Sequence, residues 1–281
     1  MRIIRYLDEN AEVHFGIAHA GGPYVRVEGD IFGRYRLSSK NAEVKKLLAP
    51  IVPTQILCIG LNYRRHAKES NLEIPRYPVL FAKGINTVQN PGDPIEIPTQ
   101  FPSSEVDYEC ELAVVIGRDC KNVSRREAYD NILGFTCAND VSARDWQLTR
   151  GGGQWCRGKF FDTFCPLGPC LVTLDEFQDP AALSIATHLN GETMQAWSTS
   201  DMIFGVAELI EFLSGSTTLK AGTVILTGTP HGVGMGRRPQ RWLVPGDVVT
   251  IEIEQIGKLT NPVRLEESGV RLATAGATAT T

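Results

Sequence analysis

Acidic and apolar residues alternate between residues 105 and 117. The stretch from Val106 to Gly117 has β-branched residues in its second half and a closing glycine, which predicts a β-strand. Because side chains alternate between the two faces of a strand, the acidic residues share one face and the apolar residues share the other. The acidic face comprises Glu105, Asp107, Glu109 and Glu111. The apolar face comprises Cys110, Leu112, Val114 and Ile116.

Carboxylates on one face of a strand repel one another, and burying an unpaired charge is costly. A hard divalent cation such as Mg²⁺ would relieve that cost, because it binds oxygen ligands. A solvated acidic face on an edge strand is the alternative. Asp140 follows a second predicted strand, Ile132 to Ala138, and is a candidate third ligand. Its alternative role is to cap a helix that begins there.

Arg144 and Gln147 follow Asp140 at spacings of four and seven residues, so on a helix all three would share one face. That face would present an acid, a cation and an amide. We expect such a set to bind a carboxylate substrate next to a metal ion.

Two other segments carry candidate proton carriers. His66 and Glu69 are three residues apart, so on a helix the imidazole would orient a carboxylate base. An exposed helical ion pair is the alternative. Lys159 lies among apolar residues and could be partly desolvated, which would make it chemically useful. Its alternative is a surface lysine whose stem packs on Phe160 or Phe161.

The loop Thr227 to Gly236 follows a predicted buried strand and is rich in glycine and threonine. Its backbone N–H groups and hydroxyls would cradle a carboxylate. The loop is therefore a candidate contact of a carboxylate. Lys83 ends a further predicted strand that begins at Val79.

The elements that must position these residues group into three parts. Residues 1–53 predict a small N-terminal domain of short strands with a helix from Asn41 to Leu48, and Pro53 marks its end. Residues 54–267 contain every candidate residue and form the predicted catalytic domain. Within them, Ser200 is expected to cap a helix from Asp201 to Leu213. Residues 268–281 have low complexity and predict a disordered tail.

Composition excludes several function classes. The formal net charge of the 281-residue chain is −4, so we expect neither a nucleic-acid partner nor a membrane partner. No apolar run reaches bilayer length, and the first residues lack the pattern of a signal peptide. The seven cysteines form no Cys-x-x-Cys pair, which favours reduced thiols and disfavours a zinc site. These features predict a cytoplasmic protein.

Taken together, the segments resemble the fumarylacetoacetate hydrolase superfamily over about residues 54–266. The run Asp162–Pro169 resembles the branch called fumarylacetoacetate hydrolase domain-containing 2. The runs Gly152–Trp155 and Gly232–Gly236 resemble bacterial diketo-acid hydrolases. The motifs that carry the resemblance are Gly60–Tyr63 with His66 and Glu69, Asp107–Leu112, Asn139–Asp145, Lys159 with Phe161–Phe164, and Thr227–Pro230.

The resemblance implies a mixed α/β, predominantly β fold: a β-sandwich roll with a small N-terminal domain. It also implies a homodimer that binds one Mg²⁺ or Mn²⁺ per chain through two glutamates and an aspartate. Those ligands would be Glu109, Glu111 and Asp140. His66, Glu69 and Lys159 would be catalytic. The substrate would contact Lys83, Arg144, Gln147, Gly228 and Thr229.

The function expected from the resemblance is metal-dependent hydrolysis of a C–C bond in acylpyruvates or related 2,4-dioxo acids. Glu69 would activate water, and a pyruvate-type enolate would leave, stabilised by the cations. The alternative is decarboxylation or keto–enol tautomerisation of oxaloacetate at the same site, which needs no attacking water. A non-catalytic binding protein is a third possibility, disfavoured by the intact set of acidic, basic and His–Glu residues.

Overall fold

The computed structural model describes residues 1–18 and 22–267, in which the chain forms nineteen strands and three α-helices. The first nine strands are β1 (Arg2–Leu7), β2 (Val13–Ala18), β3 (Val25–Gly29), β4 (Tyr35–Asn41), β5 (Lys46–Leu48), β6 (Gln55–Gly60), β7 (Val79–Lys83), β8 (Val88–Gln89) and β9 (Ile95–Ile97). The remaining strands are β10 (Val106–Asp107), β11 (Cys110–Ile116), β12 (Ile132–Asn139), β13 (Ser142–Ala143), β14 (Cys165–Val172), β15 (Ser184–Leu189), β16 (Glu192–Ser198), β17 (Thr223–Leu226), β18 (Val248–Ile253) and β19 (Gly257–Leu265). The helices are α1 (Arg64–Glu69), α2 (Cys156–Lys159) and α3 (Val206–Ser214).

Most strands join one of two large sheets. The larger sheet follows the order β4-β3-β2-β1-β14-β12-β11-β17-β6-β7, with β5 paired to β1 and β8 to β14. The smaller sheet follows the order β16-β15-β18-β19-β9, and β10 pairs with β13 separately. The prediction of a mixed, predominantly β fold is confirmed. No helix in the described ranges is both long and apolar enough to cross a membrane.

Strand β11 lies near the middle of the larger sheet and is buried on both faces. Its residues Leu112, Val114 and Ile116 pack in one core cluster with residues of the smaller sheet. Ala113 and Val115 pack on the opposite face, in a second cluster with residues of the N-terminal strands. The predicted apolar face is therefore correct, and Glu111 lies on the Ala113 face by alternation.

The predicted continuous strand from Val106 to Gly117 is interrupted at residues 108 and 109. The N–H of Tyr108 donates to Asp107 Oδ1, and the N–H of Glu109 donates to Asn139 Oδ1. Side-chain acceptors thus replace two ladder hydrogen bonds. The alternation of side chains breaks at these two residues. Asp107 therefore does not share a strand face with Glu109 and Glu111, as the strand prediction had it.

Two predicted helices differ from the observed elements. The segment from Asn41 to Leu48 ends one strand and forms another, β5, which pairs with β1. The helix expected from Asp201 begins later, at Val206, after Gly205. Ser200 lies instead in a short 3₁₀ turn, where Asp201 accepts a hydrogen bond from the N–H of Arg65. Tertiary contacts with the start of α1 therefore override the local helical pattern.

The N-terminal strands continue the larger sheet, because β1 pairs antiparallel with β14. The domain boundary at residue 53 stays a prediction. The predicted tail, residues 268–281, lies outside the described residues.

Candidate active site

Sheet topology brings the candidate residues to one edge. In the antiparallel pair β11–β12, Cys110 lies opposite Asn139, so Glu109 and Glu111 at the start of β11 meet Asp140 just after β12. Strand β17 ends beside β11 and leads into the loop that begins at Thr227. Strand β6 runs parallel to β17, so it ends at the same edge and leads into α1.

Three carboxylates meet at this edge. Glu109, Glu111 and Asp140 each place an oxygen within 4.8 Å of the others, and all three residues are buried. Buried carboxylates this close repel one another, and oxygen donors are the ligands that Mg²⁺ and Mn²⁺ prefer. The donor set therefore fits one divalent cation of this kind.

Two lysines neutralise part of the carboxylate charge. Lys159 Nζ donates to Glu109 Oε2 and to Asp140 Oδ2, at 2.8 Å in each case. Lys83 Nζ donates to the other oxygen of Asp140 at 2.7 Å. Burial lowers the pKa of Lys159, but Asp140 and Glu109 outweigh it and raise that pKa above its ordinary value. Lys159 is therefore held as an ammonium group.

Arg144 joins the set through Asp107. Its guanidinium donates to Asp107 Oδ2 at 2.8 and 2.9 Å, contacts Glu109 Oε1 at 2.7 Å and donates to Gln147 Oε1 at 3.0 Å. The predicted helix carrying Asp140, Arg144 and Gln147 is wrong, because strand β13 intervenes and a π-helical turn begins only at Trp146. Arg144 and Gln147 nevertheless meet through a direct hydrogen bond.

The glutamates differ in their electrostatic surroundings. Burial raises the pKa of Glu109, but Lys159 and Arg144 outweigh it and hold that pKa well below its ordinary range. Burial, reinforced by Asp140 and Glu109, raises the pKa of Glu111 well above its ordinary value. Glu111 accepts a hydrogen bond from the N–H of Gly228 at 2.6 Å. Its charge is the least compensated of the three carboxylates, which is the state that a bound cation would relieve.

Gly228 has the backbone that this contact requires. Its φ is +96°, and a Cβ there would lie 2.7 Å from Asn62 Cβ. A residue with a side chain would be strained and crowded. The N–H of Gly228 points at Glu111, and a contact with substrate stays a prediction for Gly228.

Helix α1 places His66 and Glu69 together as expected. His66 Nδ1 lies 3.1 Å from Glu69 Oε2, and the N–H of Gly232 donates to Glu69 Oε1 at 2.9 Å. Burial raises the pKa of Glu69, but the hydrogen bonds from His66 and Gly232 outweigh it and lower the pKa below its ordinary value. Glu69 is therefore ionised at neutral pH and available as a proton acceptor.

These groups line one cleft of about 380 Å³. Its polar walls include His66, Glu69, Glu109, Glu111, Arg144, Gln147, Lys159 and Thr229. Lys83 is fully buried behind Asp140 and does not line the cleft. Eight of the eleven predicted site residues thus face one cavity, and Asp140, Lys83 and Gly228 support its wall.

Sequence reasoning missed three residues that hold the site in place. Asp107 binds Arg144 and accepts the N–H groups of Gly234 and Met235. Gln195 donates to Thr229 Oγ1 at 2.9 Å and accepts the N–H of Cys110. Trp155 packs so close to Gly60 that a Cβ on Gly60 would lie 2.3 Å from the ring. Asp107 could have been found from the sequence, because it belongs to the acidic face that includes Glu109 and Glu111. Gln195 lies in β16, and no sequence pattern around it indicates a role in the site.

The family described as fumarylacetoacetate (FAA) hydrolase C-terminal matches residues 55–264. The chain belongs to the fumarylacetoacetate hydrolase family. The match includes all eleven predicted site residues, and the β-sandwich roll expected of the family is confirmed.

Curated members of the family resemble most of the chain. The mitochondrial oxaloacetate tautomerase of Xenopus laevis is 49% identical over 218 residues, covering 77% of this chain and 68% of its own length. The mitochondrial oxaloacetate tautomerase FAHD2A of Homo sapiens is 48% identical over 217 residues, with the same two coverages.

Solved structures of family members superimpose over almost the whole chain. The 5-carboxymethyl-2-hydroxymuconate delta-isomerase of Mycobacterium smegmatis has a TM-score of 0.83 at 38% identity, covering 95% of this chain and 100% of its own. The fumarylacetoacetate hydrolase of Exiguobacterium antarcticum has a TM-score of 0.84 at 34% identity, with the same coverages. An enzyme of this family is therefore established, whereas hydrolysis is not. The homologues fit the tautomerase alternative better than the leading sequence prediction.

Proposed function

We propose that the protein is a divalent-metal-dependent tautomerase that interconverts the keto and enol forms of oxaloacetate. The observation that carries this proposal is the placement of one ionised carboxylate, Glu69, in the same cleft as the buried cations Lys159 and Arg144. Such a cleft can accept a proton from the carbon next to a substrate's keto group while it stabilises negative charge on the keto oxygen. The names of the vertebrate relatives identify oxaloacetate as the substrate to test first.

The reaction needs only one proton acceptor and one site for developing charge. Glu69 removes a proton from C3, and the C3–H electron pair becomes the C2=C3 double bond. The C2=O π electrons move onto the oxygen, and Glu69 returns its proton to that oxygen, which gives the enol and restores the carboxylate. The reverse sequence restores the ketone, so atoms and charge balance without water or a redox partner.

The positive groups have separate tasks in this scheme. Lys159 donates to Glu109 and Asp140 and lines the cleft, so its ammonium group is placed to stabilise negative charge on the substrate. Arg144, Gln147 and Thr229 line the cleft with donors for the carboxylate next to the keto group. Lys83 and Gly228 act indirectly, by holding Asp140 and Glu111 in place.

Glu109, Glu111 and Asp140 would hold one Mg²⁺ or Mn²⁺ per chain. The ion would polarise the keto group and lower the energy of negative charge on its oxygen. The poorly compensated charge of Glu111 supports this assignment. Homodimer formation and a cytoplasmic location remain predictions from the family resemblance and from composition.

Hydrolysis of acylpyruvates is the second candidate. The His66–Glu69 pair favours it, because a base oriented in this way can equally deprotonate a water molecule. A structural relative is also named a fumarylacetoacetate hydrolase. Decarboxylation of oxaloacetate would use the same cations without a base.

The proposal is tested by adding enol-rich oxaloacetate to the protein with Mg²⁺ and following the loss of enol absorbance. We expect decay faster than in buffer with Mg²⁺, and loss of that acceleration with a chelator. Glu73→Gln, at an exposed site outside the cleft, serves as the matched control for Glu69→Gln. Cleavage of acetylpyruvate without any acceleration of enol decay would establish the hydrolase and overturn the tautomerase.

A further inference from the structure

Arg238 lies at the mouth of the cleft and has an unusual set of partners. Its exposed side chain lines the same cavity as Glu109 and Lys159. Its Nη1 donates to the carbonyl of Arg237 at 2.8 Å and, more weakly, to that of Met235 at 3.4 Å. Across residues 1–18 and 22–267 it forms no ion pair with a carboxylate.

The other lysine and arginine side chains that line the cleft are already engaged. Arg144 contacts Asp107 and Glu109, and Lys159 contacts Glu109 and Asp140. Among the described residues, Arg238 is therefore the lining guanidinium or ammonium group whose charge no carboxylate of the protein has taken up. A guanidinium in that state is suited to binding a carboxylate ligand through two parallel hydrogen bonds.

The loop that carries Arg238 is attached to the reacting groups at its base. The N–H of Gly234 and that of Met235 donate to the two oxygens of Asp107, which holds Arg144. Gly236 lies so close to Glu69 that a Cβ there would be 2.6 Å from Glu69 Cδ. The loop therefore has a fixed base beside the chemistry, while its tip at Arg238 and Gln240 stays exposed.

Oxaloacetate carries two carboxylates, one next to the keto group and one at C4. In the proposed function the first binds Arg144, Gln147 and Thr229, and Arg144 does so while it stays paired with Asp107 and Glu109. The carboxylate at C4 has no cation assigned to it, and Arg238 lines the same cavity with no carboxylate partner among the described residues. We infer that Arg238 binds this distal carboxylate, assisted by the amide of Gln240, and so selects dicarboxylic over monocarboxylic 2-oxo acids. This inference rests on the proposed function and specifies its substrate class.

The test compares Arg238→Met with Arg238→Lys and with Arg126→Met, an exposed arginine that does not line the cleft. Arg238→Met should raise the KM for oxaloacetate about tenfold or more, the scale of a hydrogen bond to a charged group, and leave kcat within about twofold. Arg238→Lys should recover part of the loss, and Arg126→Met should match the wild type. Deuterium exchange at C3 of pyruvate, which lacks the second carboxylate, should be the same in all four proteins.

Calorimetry of oxaloacetate and pyruvate binding in the presence of Mg²⁺ separates this inference from the proposed function. If the wild type fails to tautomerise oxaloacetate but Arg238→Met loses affinity for it and not for pyruvate, the proposed function is wrong and the role of Arg238 stands. If the wild type tautomerises oxaloacetate and Arg238→Met binds it unchanged, Arg238 is an ordinary surface residue. Equal losses for both ligands would also overturn the inference, because they would indicate a general effect on the loop.

Discussion

The two walls of the cleft hold their charges in opposite ways. The inner wall is formed by Glu109, Glu111, Arg144 and Lys159 together with the residues that support them from behind, Asp107, Asp140 and Lys83, all nearly inaccessible to solvent. The outer wall consists of His66, Glu69 and the loop 232–240, where Glu69 is partly exposed and Arg238 is exposed.

The difference separates fixed charges from adaptable ones. In the inner wall, Asp107, Glu109 and Asp140 are held to the three cations by hydrogen bonds, and Glu111 accepts the N–H of Gly228. The electric field of this wall is therefore set before a ligand arrives. The outer wall keeps partial contact with water, so its groups can exchange protons and accommodate a substrate. Charge stabilisation is therefore assigned to the inner wall, and proton transfer and substrate selection to the outer wall.

Replacing Glu69 with Gln tests the outer wall most strongly. The change preserves side-chain size but removes basicity, and loss of a general base typically costs about a hundred- to ten-thousand-fold. We expect enol–keto interconversion and C3 deuterium exchange to fall together by such a factor, while Mg²⁺ affinity is retained. If both activities survive and only acylpyruvate cleavage is lost, Glu69 activates water and does not move the C3 proton.

Replacing Asp140 with Asn tests the inner wall through stability. Asp140 pairs with Lys83 at 2.7 Å with both side chains fully buried, and it also pairs with Lys159. Removing one partner of a buried pair leaves an uncompensated charge and costs about 3–5 kcal/mol of unfolding free energy. Denaturant unfolding of the metal-free protein measures this loss.

Asp119→Asn is the matched control, because Asp119 pairs with Lys220 at the same 2.7 Å on the surface, with side chains 54% and 61% exposed. Solvent screens an exposed pair, so Asp119→Asn should leave the free energy of unfolding close to that of the wild type. Similar losses in the two variants would show that burial does not distinguish the inner wall.

Replacing Glu111 with Gln should separate metal binding from stability within the inner wall. Within residues 1–18 and 22–267, no lysine or arginine bonds directly to Glu111, and burial with two acidic neighbours raises its pKa. Neutralising it should leave the metal-free melting temperature unchanged or higher. Mg²⁺ affinity, measured by calorimetry, should fall by at least the roughly hundredfold that loss of a supporting residue causes. Unchanged affinity would remove Glu111 from the ligand set.

The smallest expected effect is a shift in pH dependence at the outer wall. The folded-state pKa of Glu69 lies below its ordinary value, so the base form persists as pH falls through the usual glutamate range. Replacing His66 with Ala removes one of the two hydrogen bonds that lower this pKa. The acidic limb of the kcat/KM profile should therefore move to higher pH. A limb that stays in place would mean that another group controls it.

The sequence was informative about which residues gather and less informative about what holds them. Glu109, Glu111 and Asp140 could be nominated because two of them share a strand face and the third follows a neighbouring strand. The structure brings them together, and metal binding stays a prediction. The helix through Asp140 and Arg144 was wrong because the same spacing also fits a strand followed by a turn. The role of Gln195 depends on the packing of the smaller sheet against β11, which no local pattern encodes.

The order of strands around β11 has a consequence for how the protein folds. Strand β11 pairs with β12, its close neighbour in sequence, and with β17, which follows more than a hundred residues later. Contacts so distant in sequence form slowly, because a long loop must close before they stabilise the chain. On the ribosome, β6 can pair with β7 early, but it gains its other neighbour only when β17 has emerged, and the loop that begins at Thr227 follows β17. Partly synthesised chains would therefore carry the acidic strand without the segments that complete its surroundings.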